Sequence, residues 1–269
     1  MPLTPSDTVF ARRRYARDNY VYLIAKGNDA ALVDPGDAAV ALDLARSHGL
    51  RPRFILHTHG HRDHTGGSAE VRAELGATVH GHGVDASWFQ PDVDLAGIRD
   101  VELGSLELRV HHVPGHTPGS VLYEWCGKLL SGDTLYWGGS GNCKNGGDPA
   151  LLARSFMETI AALDGSLEVD PGHDYAENNL SFALELEPEN AAARGLLESA
   201  RAARMAGLEP RATTLAEERQ ANPFLRAGTP AIMEALALRG EGGARDALEA
   251  FVALRRMKDA WQYKPSSGR

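Results

Sequence analysis

Residues 53–67 read RFILHTHGHRDHTGG, a short apolar run that passes directly into a cluster of histidines. Four of the eleven histidines in the 269-residue chain fall in this stretch. His59 and His61 are two residues apart, so their side chains share one side of an extended loop. Asp63 and His64 follow at the turn that opens the next predicted helix. Neutral imidazole and carboxylate are the usual ligands of zinc, iron and manganese, so the segment predicts a metal site.

The chain around this segment alternates strand-like and helical patterns up to about residue 175. Predicted strands cover residues 19–25, 30–35, 53–57, 77–82, 106–113, 120–125 and 128–132. Predicted helices cover 38–49 and 68–76, each ending at a glycine suited to a C-cap. The later sequence is rich in Ala, Leu and Glu and predicts helices without strands. We therefore predict an α/β domain over residues 1–175 and a helical domain over residues 176–269.

Three further candidate ligands each follow a predicted strand: His116, Asp133 and His173. In α/β sheets the loops at the carboxyl ends of strands converge on one crevice, where ligands bind. Seven ligands are too many for one tetrahedral ion but suit two. The assignment gives His59, His61 and His116 to the first ion and Asp63, His64 and His173 to the second, with Asp133 as the bridge. Such a pair generates a nucleophile at neutral pH and stabilises an oxyanion, so the sequence predicts a hydrolase.

The spacing of these residues resembles that of the metallo-β-lactamase superfamily. THGHRDH (58–64) matches its T-H-x-H-x-D-H signature, and later ligand blocks are similar to PGHTPGS (114–120), SGDTLY (131–136) and DPGHDY (170–175). GHDYAENNLSFALELEPEN (172–190), NPFLR (222–226) and FVALRRMKDAW (251–261) resemble the C-terminal domain of glyoxalase II, the hydroxyacylglutathione hydrolases. The resemblance implies an α/β fold, an αββα metallo-β-lactamase sandwich with a C-terminal helical domain that binds substrate.

The resemblance also implies a reaction, the cleavage of the thioester S-D-lactoylglutathione to D-lactate and glutathione by a metal-bridging hydroxide. Two divalent ions are expected, with zinc first and iron or manganese as alternatives. Asp63 is expected to orient the hydroxide, and Asp133 to bridge the ions. The open alternatives are a hydrolase of another acyl-thiol or of a lactone, a persulfide dioxygenase with a single iron, and a metal-holding protein without turnover.

Two substrate-binding residues are implied outside the metal ligands. Tyr175 aligns with a substrate-binding tyrosine of the family, and a buried hydroxyl that caps a loop is the alternative reading. Arg226 matches a basic residue of the helical domain that meets the anionic tripeptide. A surface salt bridge is the alternative for Arg226.

The loop 138–149, GGSGNCKNGGDP, departs from the family pattern. Ser140 holds the position of a cysteine, Asn142 that of a basic residue, and Lys144 that of an aromatic residue which helps to hold glutathione. Asn142 and Lys144 are therefore the candidate substrate contacts of this loop, and its acceptance of glutathione is an open question. Cys143 lies in the same loop without an adjacent general base, so no nucleophilic role is assigned to it.

The composition of the chain limits the classes of partner and the cellular location that we expect. The formal net charge of −8 argues against a nucleic-acid partner, which usually needs a basic face. Two cysteines are too few for a disulfide framework, and the sequence shows neither a signal segment nor a membrane-spanning run. We expect a cytoplasmic protein that acts on a small acyl-thiol, as a monomer or weak homo-oligomer. The role of His57, at the end of the strand before the cluster, is left open.

Overall fold

The computed structural model describes residues 8–263. Its strands are β1 (Thr8–Tyr15), β2 (Asn19–Lys26), β3 (Asp29–Val33), β4 (Phe54–Leu56), β5 (Thr78–Gly81), β6 (Val93–Asp94), β7 (Asp100–Leu103), β8 (Leu106–His112), β9 (Val121–Trp125), β10 (Lys128–Gly132), β11 (Leu135–Tyr136), β12 (Gly139–Ser140), β13 (Glu168–Pro171) and β14 (Thr213–Thr214). Its α-helices are α1 (Ala38–Ser47), α2 (Arg62–Thr65), α3 (Ser68–Leu75), α4 (Pro149–Arg154), α5 (Ala176–Leu186), α6 (Ala191–Met205), α7 (Leu215–Ala221), α8 (Pro230–Ala237) and α9 (Ala247–Ala260).

The first sheet has the strand order β1-β2-β3-β4-β5-β6. Strands β1 to β3 pair antiparallel, whereas β3 to β6 pair parallel. Along β2, Tyr20, Tyr22 and Ile24 point into the core between the two sheets, and the alternate residues Val21 and Leu23 pack against α1. A strand buried on both faces reads as a continuous apolar run, which is why NYVYLIA was recognisable in the sequence.

The second sheet has the strand order β14-β13-β10-β9-β8-β7 and faces the first across the main core. Along β8, Leu106, Leu108 and Val110 are buried, while Glu107 and Arg109 between them are exposed. This alternation marks a strand with one face in the core and the other in water. Helices α1 and α3 cover the outer face of the first sheet, so the layers form the predicted αββα sandwich.

The C-terminal helices share the main core with the sheets. Ala250, Phe251 and Leu254 of α9 belong to the same buried cluster as Tyr123 of β9 and Leu129 of β10. The predicted helix signals are confirmed. Thr214 and the third residue of α7 form a capping box, and Thr229 caps α8 ahead of a proline in its first turn. Within the described part of the chain, no helix is long and apolar enough to cross a membrane.

Several short or charged strands are absent from the sequence prediction, and three of them show the reason. Strand β1 carries three consecutive arginines, a pattern that does not read as a strand, yet it pairs in full register with β2 at the sheet edge. Strand β7 is short and acidic and forms a hairpin with β8. Strand β14 breaks the expectation of a purely helical segment after residue 175, because it extends the second sheet beside β13. In each case the partner strand, and not local propensity, decides the conformation.

Candidate metal centre

All seven predicted ligands lie at the ends of strands on one side of the sandwich. The loop after β4 and the short helix α2 contribute the first four, and the loops after β8, β10 and β13 contribute one each, namely His116, Asp133 and His173. Helix α2 has only four residues and begins directly after His61, whose carbonyl accepts from the backbone N–H groups of His64 and Thr65. This turn orients His64 inward, whereas Asp63 remains half exposed.

The first cluster contains His59, His61, His116 and Asp133, whose ligand atoms lie within 4.8 Å of one another. His116 Nε2 is 2.9 Å from His61 Nδ1 and 3.5 Å from Asp133 Oδ2. His59 Nε2 is 3.8 Å from the same carboxylate oxygen. Three imidazoles and one carboxylate around a common point are a typical donor set for a divalent cation.

The second cluster contains Asp63, His64 and His173. His173 Nε2 lies 3.2 Å from Asp63 Oδ2 and 3.2 Å from His64 Nε2. Asp133 also reaches this cluster, with Oδ1 at 3.2 Å from His64 Nε2 and Oδ2 at 3.4 Å from His173 Nε2. Asp133 is therefore the carboxylate that touches both clusters, which is the position the sequence predicted for a bridge.

Three of the histidines have their Nδ1 atoms held by partners behind the cluster. His116 Nδ1 donates to the carbonyl of Asn142 at 2.7 Å. His173 Nδ1 is 2.8 Å from Asp18 Oδ1. His64 Nδ1 is 3.2 Å from Asp34 Oδ2. When Nδ1 carries the proton, Nε2 keeps its lone pair free for a cation, so these contacts select the tautomer that a ligand needs.

Asp34 was not predicted as a functional residue. It is buried and adopts a positive φ of 51°, and its carboxylate accepts from the backbone N–H and the hydroxyl of Thr58. Although its carboxylate is near His59 and His64, its bonds to Thr58 and its contact with His64 Nδ1 place it behind the ligand cluster. It fixes the start of the ligand loop and the orientation of His64.

Burial keeps two of the first-cluster histidines neutral. It lowers the pKa of His59 well below the usual value and lowers that of His116 to about 4. Both side chains therefore offer a lone pair at neutral pH, because protonation of a buried imidazole costs its hydration energy.

In the second cluster the nearby carboxylates raise the pKa of the histidines. Burial opposes the charged form of His64, but Asp133 and the hydrogen bonds to Asp133 and Asp34 raise its pKa to about 10. The pKa of His173 is raised in the same way, chiefly by Asp133 against the effect of burial. Concentrated negative charge that favours protons on imidazole also favours a metal cation in their place.

The site fits a pair of divalent cations on independent grounds. His59 Nε2 is buried and makes no hydrogen bond, an arrangement that is costly unless a cation occupies the space. Gly172 supports the same conclusion, because a Cβ there would lie 2.4 Å from Asp133 Oδ1 and 2.6 Å from His64 Cε1. Absence of a side chain at this position keeps the centre open.

The structure brings Tyr175, Asn142 and Lys144 to the margin of the centre. The ring of Tyr175 stacks on His173, with centroids 4.9 Å apart and planes 6° apart. The side chain of Asn142 accepts from the backbone N–H of Lys144 and so shapes the loop. Lys144 is largely exposed, with Nζ 3.9 Å from Asp259. The roles of these residues in substrate binding stay predictions.

Arg226 is engaged elsewhere. Its guanidinium forms a bidentate pair with Glu187, at 3.0 Å from Nε and 2.6 Å from the terminal nitrogen. This is the salt bridge that the sequence left as the alternative, and it occupies the fork that a substrate carboxylate would need. A substrate contact by Arg226 would require the pair to open, so that role also stays a prediction.

The loop that follows Asp133 is fastened by residues of the C-terminal helices, a feature that the sequence did not reveal. Arg255 of α9 is buried and donates to the carbonyl groups of Ser140 and Gly141 at 2.9 and 3.2 Å. Asn222, after α7, donates to the carbonyl of Gly139 at 2.9 Å. Because Asn142 holds His116, these helices help to position the first cluster.

Comparisons with known proteins agree with the architecture. The model for the metallo-beta-lactamase superfamily matches residues 14–173, and the model for the hydroxyacylglutathione hydrolase C-terminus matches residues 174–261. The chain is 63% identical over 253 residues to the hydroxyacylglutathione hydrolase of Anaeromyxobacter dehalogenans (strain 2CP-C), covering 93% of this chain and 99% of that relative. It is 41% identical over 219 residues to that of Dechloromonas aromatica (strain RCB), covering 81% and 82%. A solved structure, TTHA1623 in a di-iron-bound form, is similar with a TM-score of 0.56 and 26% identity, covering 81% of this chain and 100% of that one.

Proposed function

We propose that this chain, which belongs to the hydroxyacylglutathione hydrolase family of the metallo-β-lactamase superfamily, hydrolyses S-D-lactoylglutathione to D-lactate and glutathione. The observation that carries the proposal is the placement of Asp133 between two histidine clusters, within 3.2 to 3.8 Å of four imidazole nitrogens. A single-iron dioxygenase is not favoured, because the residues provide two complete ligand sets and the helical segment 174–261 matches the hydrolase family.

The metal assignments follow from the two clusters. His59, His61 and His116 would hold the first ion, Asp63, His64 and His173 the second, and Asp133 would touch both. When bound, the two ions supply Lewis acidity and a nucleophile at neutral pH. Zinc is our first choice for these nitrogen and oxygen donors. The di-iron form of a similar protein supports iron as the alternative.

Asp63 is the residue that we assign to proton uptake. Its carboxylate is about half exposed and therefore accessible to water and substrate, while Asn19 Nδ2 donates to Oδ2 at 3.1 Å and fixes its orientation. In this position it can orient the attacking water and accept its proton. The leaving group needs less help, because a thiol with a pKa of about 8.5 departs readily as a thiolate. No dedicated general acid is required.

Tyr175 is proposed to bind the glutathione moiety at the second cluster. Burial raises the pKa of its hydroxyl to about 12, so the group remains a hydrogen-bond donor at neutral pH. Its ring is held in place by the stack on His173. Lys144 adds an exposed positive charge at the rim, suited to a carboxylate of the tripeptide. Asn142 is proposed to act through the shape of the loop, and Arg226 only after release of Glu187.

The wider assignments rest on this reaction. We propose that residues 1–175 form the catalytic domain and residues 176–269 the substrate-binding domain, and that the protein acts in the cytoplasm. Glutathione adds to methylglyoxal to give a hemithioacetal, and an internal shift of hydrogen from its former aldehyde carbon to the ketone carbon gives this thioester, so the proposed role is methylglyoxal detoxification. The proposed partner is this small molecule, with no nucleic acid and no membrane, and the proposed state is a monomer or weak homo-oligomer.

The test is the rate of thiol release from S-D-lactoylglutathione by purified protein of measured metal content. We expect a kcat/KM above about 10⁴ M⁻¹ s⁻¹, within the usual range for enzymes on their own substrates. Removal of the ions by a chelator should abolish it, and readdition should restore it. A Lys144→Ala variant should raise KM, whereas the matched Lys26→Ala variant at the end of β2 should not.

The result that would contradict the proposal is negligible hydrolysis by protein that holds two ions per chain. Thioesters of other low-molecular-weight thiols, and lactones, would then be assayed with the same preparation. Activity confined to thioesters of another thiol would indicate that the altered loop 138–149 has changed the specificity. Activity on lactones alone would remove the thioester assignment.

A further inference from the structure

Trp88 is a large apolar side chain that remains partly in water beside the metal centre. It leaves 44% of its surface exposed, although its ring lies 5.5 Å from that of the ligand His61, centroid to centroid. An indole that stays this exposed forgoes part of the free energy of burial. Its position beside a predicted metal ligand makes this exposed indole a candidate contact for a bound substrate.

The indole is fixed with respect to both ligand loops. The backbone N–H of Trp88 donates to the carbonyl of Asp85 at 3.0 Å. The side chain of Asp85 is fully buried and accepts from Gly60 N, Thr117 Oγ1 and Gly119 N at 3.0, 2.7 and 3.0 Å. Gly60 lies between His59 and His61, and Thr117 follows His116. The turn that carries Trp88 is therefore tied to the segments that supply the first cluster.

The following residue anchors the turn from its other side. Phe89 packs against His57 with ring centroids 4.6 Å apart. It also covers Gly81, where a Cβ would come within 2.4 Å of the Phe89 ring. With Asp85 and Phe89 both fixed, the backbone of Trp88 between them is held in place beside the metal centre.

The indole of Trp88 spans the space between two loops. A Cβ at Gly60 would lie 2.3 Å from Trp88 Cε3, so the indole occupies the space above that residue. At its other end a Cβ at Gly146 would lie 3.6 Å from Trp88 Cη2, which places the ring beside the loop 138–149. His61 itself contacts this loop, with Nε2 3.3 Å from the carbonyl of Asn145. Trp88 therefore forms an apolar wall at the mouth of the first cluster, between these two loops.

The wall lies at the first cluster, whereas Tyr175, the proposed contact of the thiol moiety, lies at the second. Tyr175 stacks on His173 of the second cluster, whereas Trp88 packs on His61 of the first. A thioester whose carbonyl carbon lies between the clusters must extend its two substituents in different directions. If the glutathione moiety extends towards Tyr175, the acyl group extends towards Trp88.

We infer that Trp88 forms the wall of the acyl subsite and makes the enzyme favour 2-hydroxyacyl thioesters with an apolar or aromatic substituent over those with a methyl group. The inference rests on the proposed function, because it takes the substrate to be an acylglutathione. The test compares S-D-mandeloylglutathione, which carries a phenyl ring, with S-D-lactoylglutathione, which carries a methyl group in its place. The phenyl ring can stack on the indole, whereas the methyl group cannot.

Trp88→Ala should lower kcat/KM for the mandeloyl ester roughly tenfold and that for the lactoyl ester less than about twofold, since one aromatic contact is lost. Trp88→Phe should retain most of the preference, because it keeps an aromatic face. Ile98→Ala, at a comparably exposed position on the segment between β6 and β7, should leave both rates unchanged. Metal content should be the same in all four proteins.

A binding measurement provides a readout that does not depend on turnover. S-benzylglutathione and S-methylglutathione are thioethers that cannot be hydrolysed, and they differ by a phenyl ring near the sulfur. Trp88→Ala should raise the Kd of the benzyl compound about tenfold and leave that of the methyl compound unchanged.

The outcomes separate the two proposals. Equal losses for both esters, or for both thioethers, with lactoylglutathione still hydrolysed by the unaltered enzyme, would overturn the acyl subsite alone. No hydrolysis of any acylglutathione by the unaltered enzyme would overturn the proposed function and this inference with it. A selective loss confined to aromatic acyl groups would support both.

Discussion

Asp18 shows how a single side chain outside the ligand set controls a metal ligand. Its carboxylate is 2.8 Å from His173 Nδ1, and its carbonyl accepts from the backbone N–H of Asp174. Asp18→Asn keeps the size of the side chain but removes its charge and the fixed acceptor. We expect the affinity for the second ion to fall roughly 10- to 100-fold, with little change in the free energy of unfolding. A competitive chelator titration measures this affinity directly.

The matched control for this change is Asp164→Asn, on an exposed turn ahead of β13 where the carboxylate caps only its own loop. That variant should bind two ions as tightly as the unaltered protein. Identical affinities in the Asp18 and Asp164 variants would show that the fold alone orients His173 and that the carboxylate contributes nothing to it.

Among single residues, the sequence predicts the metal ligands better than it predicts the residues that orient them. The segment 57–64 contains so many ligand residues that it predicts a metal site by itself. The later ligands each follow a predicted strand. Asp18 and Asp85 carry no such signal, because their value depends on partners distant in the chain. Asp18 meets a histidine 155 residues away. A lone aspartate in a loop looks the same whether it caps a turn or holds a ligand.

Asn222 links an element of the C-terminal segment to the hairpin β11–β12. It is fully buried, and its amide donates to the carbonyls of Tyr136 and Gly139 and to Glu218, while its side-chain oxygen accepts from Phe224 N. Removal of these groups leaves buried carbonyls without donors. We expect Asn222→Ala to lower the free energy of unfolding by about 2–4 kcal/mol, measured by urea denaturation at constant metal content.

Gln220→Ala is the matched control, since that side chain is exposed near the end of α7, the helix that Asn222 follows. It should change the free energy of unfolding by less than about 0.5 kcal/mol. If the Asn222 variant were as stable as the control, water would have to replace the lost donors, and the hairpin would not depend on α7.

Elements with a strong apolar pattern could be predicted from the sequence. Elements that form because they pair with a neighbouring strand could not. The run NYVYLIA announces a strand because both of its faces are buried. The three arginines of β1 do not predict a strand, yet the strand forms because its backbone pairs with β2 along eight residues. The two-residue strands β11, β12 and β14 are too short to leave a pattern. The hairpin that shapes the metal site therefore could not be predicted from propensity.

The whole molecule behaves as one packed body within the described residues. The main core draws on both sheets and on α5 to α9, and β14 adds a C-terminal strand to the second sheet. Sequence composition suggested a boundary near residue 175, since it detects a change from strands to helices. It does not detect how much apolar surface the two segments share, because that depends on which helix faces meet the sheet.

Two buried carboxyl groups make the stability of the molecule depend on pH. Glu218 of α7 accepts from Gly138 N, Thr213 Oγ1 and Asn222 Nδ2, yet burial raises its pKa to about 7. Burial also raises the pKa of Asp170, in β13, to about 7. In the unfolded chain such groups release their protons near pH 4, so between pH 4 and 7 the folded state binds more protons.

The contribution of these two groups to the free energy of unfolding should therefore be greatest at acidic pH. It should be lost as the pH rises through 7. The shift of Glu218 from 4.5 to about 7 corresponds to about 3 kcal/mol lost by pH 8. Glu218→Gln cannot ionise, so although it is less stable at pH 5, its free energy of unfolding should fall less steeply between pH 5 and 8. Urea unfolding of the metal-free proteins across this range measures both slopes, and histidine titration cancels in the comparison because both proteins contain the same histidines. Parallel profiles would show that Glu218 is ionised in the folded state and that its three donors outweigh its burial.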